Sequence, residues 1–170
     1  MELKAYLILE NIRKIGDYGK INQKLLSLAF IKAGRKLLEE KSGQGIDLII
    51  EAEGKKYAIE VKTTDTDEIK FEEKKEGYDK KRAQGLGFVP ALAVIKVSPL
   101  SNWVIASSEG IHKVTLRIGM LCQKRISLLE EGIDDAYVQV LLDIGRKLLD
   151  EKPSSPQGWL DNLIRPQVVE

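Results

Sequence analysis

The apolar positions at the start of the chain recur at helical spacing. Over residues 2–15 they fall three or four positions apart, and the same spacing returns from Ile21 to Phe30, which predicts two amphipathic helices. The second helix is expected to end near Gly34, because glycine commonly follows the last helical turn. Residues 35–40, RKLLEE, fit either a strand or a continuation of this helix.

Two short segments then change to strand character. They are GIDLII at 45–50 and YAIEVKTT at 57–64, and the polar stretch 51–56 separates them. Short apolar runs bounded by glycine and charged residues are typical of strands. We therefore predict a β-hairpin that turns within the polar stretch.

The remainder of the chain alternates between helical and strand-like segments. Strand character is found at 88–97, 103–107 and 112–118, and helical character at 67–83 and at 124–151, the latter broken near Gly132. The tail from Pro153 contains a short apolar turn around Trp159. This order predicts an α/β fold with a mixed central sheet.

Charged residues inside the predicted hairpin are the main anomaly of the pattern. Side chains two apart on a strand share a face, so Glu60 and Lys62 point the same way. Pairing Ile50 with Tyr57 sets Asp47 opposite Glu60, and a shift of two residues sets it opposite Lys62. In either register the three charged side chains share one face of the sheet.

Two carboxylates this close need a counter-charge. At about 4 Å they repel by roughly 4 kcal/mol at an effective dielectric of about 20. Mg²⁺ removes this repulsion and prefers carboxylate oxygens supplemented by water. With Lys62 orienting a water or holding a phosphate, Asp47 and Glu60 would form a site suited to phosphodiester hydrolysis. The alternative is a cross-strand ion pair on a solvated face, with Asp47 capping a strand or turn.

Composition limits the class of protein. The 170 residues are 43% hydrophobic and 31% charged, which suits a single domain spanning 1–170. The net charge of +1 gives no global signal for nucleic acid, so any anion-binding surface must be local. The single cysteine, Cys122, excludes an intrachain disulfide and is expected to be buried. The chain has neither a membrane-length apolar run nor a signal-peptide pattern, so we expect a cytoplasmic protein without a membrane partner.

The hairpin motif resembles the core motif of the PD-(D/E)XK nuclease superfamily. In GIDLII and AIEVKTT, Asp47 matches the first acid, Glu60 the second and Lys62 the lysine. The surrounding order resembles archaeal Holliday junction resolvases and Mrr-like restriction endonucleases over roughly 16–107. The resemblance implies a restriction-endonuclease-like mixed sheet flanked by helices, with extra C-terminal helices at about 124–170. It also implies cleavage of DNA that depends on Mg²⁺ or Mn²⁺.

The chain departs from this family at one position. Resolvase-like relatives carry a glutamate on the first motif helix, where this chain has Asn22. An amide can hold a metal-bound water but brings no charge, and Asp17 or Glu10 could substitute for the missing acid. Asn22 and Thr64 are therefore supporting candidates.

Partners are less well specified by the sequence. Lys70, Lys74 and Lys81 could share a helical face that binds DNA, although interleaved acids fit a solvated ion-paired helix equally well. The wide apolar stripe of the C-terminal helices packs on the domain or contributes to a homodimer. Three hypotheses remain: a DNA nuclease, including one for branched DNA; a nuclease-fold protein that binds nucleic acid or protein without cutting; and a structural subunit.

Overall fold

The computed structural model describes residues 1–40, 46–70, 80–112 and 114–164. Its helices are α1 Leu3–Arg13, α2 Tyr18–Lys32, α3 (residues 80–85), α4 Ile118–Leu121, α5 Ser127–Glu130, α6 Ile133–Val140, α7 Arg146–Glu151 and α8 Pro156–Ile164. A 3₁₀ turn, Cys122–Lys124, follows α4, and a π-helical turn, Leu141–Gly145, joins α6 to α7. Its strands are β1 Lys36–Glu40, β2 Leu48–Ala52, β3 Lys55–Thr64, β4 Glu68–Lys70, β5 Val89–Lys96, β6 Val104–Ser107 and β7 Thr115–Arg117.

The central sheet has five strands in the order β1-β2-β3-β5-β6. Strands β3 and β5 are parallel, and the other neighbouring pairs are antiparallel. Strands β4 and β7 form a separate antiparallel ribbon. Helices flank this mixed sheet, which confirms the predicted α/β class and agrees with a restriction-endonuclease-like fold.

The two faces of the sheet are covered differently. On one face, Ile59 and Ala93 belong to a large core shared with α1, α2 and α5 to α8. On the other face, Leu92 packs with Ile69 and Leu116 of the ribbon, and Ala58 packs with Ala83 of α3. Helix α2 is buried over ten consecutive residues, from Ile21 to Phe30, because the sheet, α6 and α8 surround it.

The hairpin of β2 and β3 has the register that sets Asp47 opposite Glu60. Ile50 pairs with Tyr57, as one of the two predicted registers requires. Most of the polar stretch 51–56 is strand, and the turn consists only of Glu53 and Gly54. Both turn residues have positive φ angles, 48° and 76°, as in a type I′ turn, whose twist matches that of the flanking strands.

Several local predictions are corrected by the structure. The helix predicted at 67–83 is wrong in its first part, because residues 68–70 form β4, whose Ile69 fills the core below the ribbon. Residues 35–40 supply β1, so the ambiguity is resolved in favour of a strand. The apolar turn around Trp159 is helix α8, and Cys122 is exposed rather than buried.

Other local predictions are confirmed. A break near Gly132 in the C-terminal helices is present, since this residue precedes α6 with a φ of 73°. Within the described parts of the chain, the structure contains no helix long and apolar enough to cross a bilayer.

Candidate active site

Strand β3 presents Glu60 and Lys62 on the face of the sheet away from α2. Their side chains are 13% and 29% exposed, and Lys62 Nζ lies 3.7 Å from Glu60 Oε2. This separation is an ion-pair distance but exceeds that of a direct hydrogen bond. On the neighbouring strand β5, the residues in register are the buried Leu92 and Val94. The pair therefore stands beside an apolar patch, where surrounding water screens its charges less than at an open surface.

Asp47 directly precedes β2 and is held against β3. Its Oδ2 atom accepts a hydrogen bond from the backbone N–H of Val61, at 2.8 Å. Leu48 pairs with Ile59, so continuing the register sets Asp47 opposite Glu60. The hydrogen bond fixes the orientation of the Asp47 carboxylate at the open end of the hairpin. The same hydrogen bond is also expected if Asp47 only caps the strand and has no catalytic role.

The chemistry of these groups fits the metal that the family resemblance implies. Asp47 and Glu60 both supply carboxylate oxygens, which are the ligand type that Mg²⁺ prefers. Among the residues whose placement is described, no group of three or more His, Cys, Asp or Glu side chains is arranged to hold a metal. Two carboxylates completed by water suit Mg²⁺ or Mn²⁺, whereas a structural zinc site needs four nitrogen or sulfur ligands.

Asn22 is not brought to this face. It is completely buried, and its Nδ2 atom donates to Thr63 Oγ1 at 2.7 Å. Its Oδ1 atom accepts from the hydroxyl of Tyr137 on α6. Thr63 follows Lys62 on β3 and therefore points to the opposite side of the sheet. Asn22 was a supporting candidate for the site, and this prediction is corrected, because both ends of its amide are engaged in the core.

The two acids considered as substitutes for the missing glutamate lie on α1 and at the start of α2. Glu10 Oε1 is 3.8 Å from Arg13 Nη1, and Arg13 also binds Asp65 just beyond β3. Asp17 is exposed at the N-cap of α2, with a positive φ of 49°. These contacts place Glu10 in an ion pair with Arg13 at the surface.

Thr64 lies on the same face of β3 as Glu60 and Lys62. Its hydroxyl donates to the backbone carbonyl of Glu68 at 2.9 Å and so shapes the turn into β4. In register with it on β5 is Lys96, whose Nζ is 2.7 Å from Asp67 Oδ1. The sequence gives no signal for Lys96 at this place, because no local pattern specifies the register of a parallel pair whose strands are far apart in the chain.

The candidate DNA-binding lysines do not share one helix. Lys70 is exposed on β4, and Lys81 is exposed on α3. Lys74 lies outside the described residues. A single helical stripe through all three is therefore wrong, since Lys70 belongs to a strand.

Comparisons with known proteins found a likeness among solved structures but none among family models or curated proteins. No protein-family model matches the chain, and no curated protein matches it at a significant level. Among solved structures, the chain is similar to Archaeoglobus fulgidus Hjc, a Holliday junction resolvase from an archaeal hyperthermophile. The TM-score is 0.49 and the identity 17%, over 63% of this chain and 88% of that chain. A likeness at this level transfers neither activity nor residue roles.

Proposed function

We propose that this protein is a metal-dependent nuclease that hydrolyses phosphodiester bonds in DNA. Asp47 and Glu60 hold Mg²⁺ or Mn²⁺, and Lys62 acts beside them. The observation that carries the proposal is the Glu60–Lys62 pair, 3.7 Å apart on one face of β3, with Asp47 anchored at Val61 next to it. The motif resemblance supports the same assignment independently of the structural likeness.

Each residue has a distinct role in this proposal. The Val61 N–H orients Asp47, so the carboxylate need not be reorganised when a cation arrives. Glu60 supplies the second carboxylate from a largely buried position, where its charge acts strongly. The Lys62 ammonium would donate a hydrogen bond to a phosphate oxygen or orient the attacking water, without transferring its proton. A divalent cation held by Asp47 and Glu60 would supply a water of lowered pKa and neutralise charge on the phosphate.

A nuclease-fold protein that binds without cutting is the second candidate. One observation favours it: Asn22 is committed to the core, so α2 contributes no acid at this position to the site. The contacts of Asp47 with Val61 and of Lys62 with Glu60 would also be sufficient for a structural role. Metal binding and cleavage separate the two candidates.

The assembly proposal is a two-fold dimer if the substrate is a four-way junction, because two symmetric cuts require two related sites. The apolar stripe of the C-terminal helices is largely used within the chain. Ile133, Tyr137 and Leu148 are at most 1% exposed. A dimer would therefore need a different surface, and light scattering at working concentration determines whether one exists.

The activity is tested by incubation with a panel of substrates. Duplex, single-stranded, flapped and four-way DNA, with RNA of matched sequence, would be incubated with Mg²⁺, Mn²⁺ or EDTA. Metal-dependent cleavage of at least one DNA substrate is expected. Metal-independent binding with no cleavage of any substrate would favour the second candidate.

Exposed Lys70 and Lys81 are proposed DNA contacts, and their replacement by Gln should weaken the salt dependence of binding.

A further inference from the structure

A pocket of about 230 Å³ opens beside the candidate active site. Its walls come from β1, β2, α3 and the segment before β5. The lining residues are Leu38, Glu39, Ile46, Ile49, Arg82, Leu86 and Phe88. None of the roles assigned above to Asp47, Glu60 and Lys62 uses this space.

The pocket and the charged pair share one face of the sheet. Ile46 lines the pocket and directly precedes Asp47 in the chain. Ile49 pairs with Ala58, and Ala58 lies two residues before Glu60 on the same face of β3. Consecutive Cα atoms are about 3.8 Å apart, so the pocket wall begins within one residue of the proposed metal ligand. A group in the pocket and a phosphate at the metal site could therefore belong to the same ligand.

The size of the pocket restricts its occupant. Sites for drug-sized ligands begin at about 300 Å³, which exceeds the volume of this pocket. A whole cofactor would not fit, whereas a single planar ring system would. The walls suit such a group, because most lining residues are aliphatic and Phe88 contributes an aromatic ring.

Charge at the rim favours an occupant that carries phosphate. The guanidinium of Arg82 belongs to an exposed side chain that lines the pocket. Lys56 Nζ lies 5.8 Å from the centroid of the Phe88 ring, adding a second cation close to the wall. Glu39 is the acidic member of the lining. An apolar side chain of a protein partner would gain little from these two cations, whereas a nucleotide would place its phosphate near them.

We infer that this pocket receives one unpaired nucleobase of the nucleic-acid substrate while a neighbouring phosphate lies at Asp47, Glu60 and Lys62. The inference rests on the proposed function for its substrate class. Extracting a base from a duplex costs a few kcal/mol, and the cost is smallest for a base that is already unpaired. The protein should therefore bind single-stranded, mismatched or branched DNA more tightly than intact duplex.

The test is a nuclear magnetic resonance titration of the ¹⁵N-labelled protein in EDTA, so that cleavage plays no part. The probes are dAMP, dCMP and 2-deoxyribose 5-phosphate, which lacks the base. The nucleotides should shift the amide signals of Ile46, Ile49 and Phe88, and the sugar phosphate should not. Equal shifts with the sugar phosphate would show a phosphate site only, and no shift up to the solubility limit of both nucleotides would overturn the inference.

Two variants and a matched control sharpen the result. Leu38→Phe adds volume at a half-buried wall residue and should abolish the nucleotide shifts, with the melting temperature confirming that it folds. Arg82→Gln, at an exposed position, should weaken nucleotide binding several-fold, while Arg146→Gln, exposed on α7, should leave it unchanged. If the shifts at the pocket residues appear instead on raising the protein concentration without nucleotide, the pocket is an interface between copies. Base-dependent shifts in a protein that cleaves nothing would retain the pocket and reject the nuclease.

Discussion

The two faces of β3 differ in the burial of their polar side chains. Toward α2, Thr63 accepts from Asn22, and Asn22 accepts from Tyr137, with the latter two at most 1% exposed. Toward the other side, Glu60 and Lys62 are 3.7 Å apart and partly exposed. The first network is closed, because the two ends of its central amide are engaged within the protein. The side chains of the second pair retain access to solvent.

This difference separates a structural from a functional use of polar residues. A buried hydrogen-bond network contributes by satisfying groups that would otherwise be desolvated without partners. The Glu60–Lys62 pair is 3.7 Å apart, too far for a direct hydrogen bond between the two side chains, so we expect it to contribute little to stability. Its value lies in what it can bind. Substitutions toward α2 should therefore change stability, and substitutions on the opposite face should change activity.

A second polar network on the α2 side involves formal charges. The ammonium of Lys24 lies 2.6 Å from Glu40 Oε1 at the end of β1 and also contacts Asp161 of α8. The side chains of Lys24 and Glu40 are 6% and 5% exposed. Burial raises the pKa of the Glu40 carboxyl above its ordinary value of 4.5, although Lys24 opposes the rise. This network links the C-terminal helix to the sheet and should make stability depend on pH.

The largest effect is expected on the open face. Replacing Asp47, Glu60 or Lys62 individually by Ala should lower the cleavage rate by roughly 10²–10⁴-fold, the range typical for loss of a positioned catalytic group. Far-UV circular dichroism should remain unchanged. Lys147→Ala, exposed on α7, serves as the control. Wild-type cleavage rates in all three variants would reject the site.

The next effect concerns the residue that replaces the family glutamate. Asn22→Glu should destabilise the protein by several kcal/mol, because it places a carboxylate where the amide now donates to Thr63. It should not tighten Mn²⁺ binding, since the side chain lies on the α2 side of the sheet. Calorimetric titration with Mn²⁺ and a urea melt measure the two quantities. Tighter Mn²⁺ binding with unchanged stability would show that position 22 can face the metal site.

A smaller loss of stability is expected for Tyr137→Phe. The variant leaves Asn22 Oδ1 buried without its donor, which costs about 1–3 kcal/mol. For a chain of this size, each kcal/mol lowers the melting temperature by about 2–4 °C. Cleavage well below the melting temperature should be retained, and Tyr6→Phe, at a half-buried tyrosine of α1, is the control. Lost cleavage with an unchanged melting temperature would contradict the division between the two faces.

The smallest effect is the pH dependence contributed by Glu40. Because its folded-state pKa is raised, its favourable contribution is complete below about the ordinary value of 4.5 and is lost as the pH rises through the folded value. Glu40→Gln retains an acceptor for Lys24 and removes this titration. The wild type should lose stability relative to the variant as the pH rises above 4.5 in a series of urea melts.

Sequence reasoning was sufficient where alternation and local pairing decide the outcome. The alternation of IEVK put Glu60 and Lys62 on one face, and the apolar positions left two registers open, of which the structure has the one that pairs Ile50 with Tyr57. Burying the apolar side chains leaves few alternative registers. The position of Asp47 follows from the same pairing. These predictions needed only contacts between segments close together in the chain.

The remaining errors arose where distant contacts decide the outcome. Ten consecutive residues of α2 are buried, so periodicity could not indicate which face Asn22 presents. Strand β4 has only three residues, and its assignment depends on pairing with β7, 45 or more positions away. Phe88 and Arg82 meet Ile46 only after the chain has crossed the sheet. The sequence alone therefore gives no indication of the pocket.

The most direct test of the central claim compares thermal melts of the wild type and Asp47→Asn, each in EDTA and in millimolar Mn²⁺. The variant retains an acceptor for the Val61 N–H, so its melting temperature in EDTA should be close to that of the wild type or higher. With Mn²⁺ at a hundredfold excess over its dissociation constant, the wild type should gain about 2.7 kcal/mol, and the variant far less. A wild-type melting temperature that does not move with Mn²⁺ would contradict the assignment of Asp47 and Glu60 as a metal site.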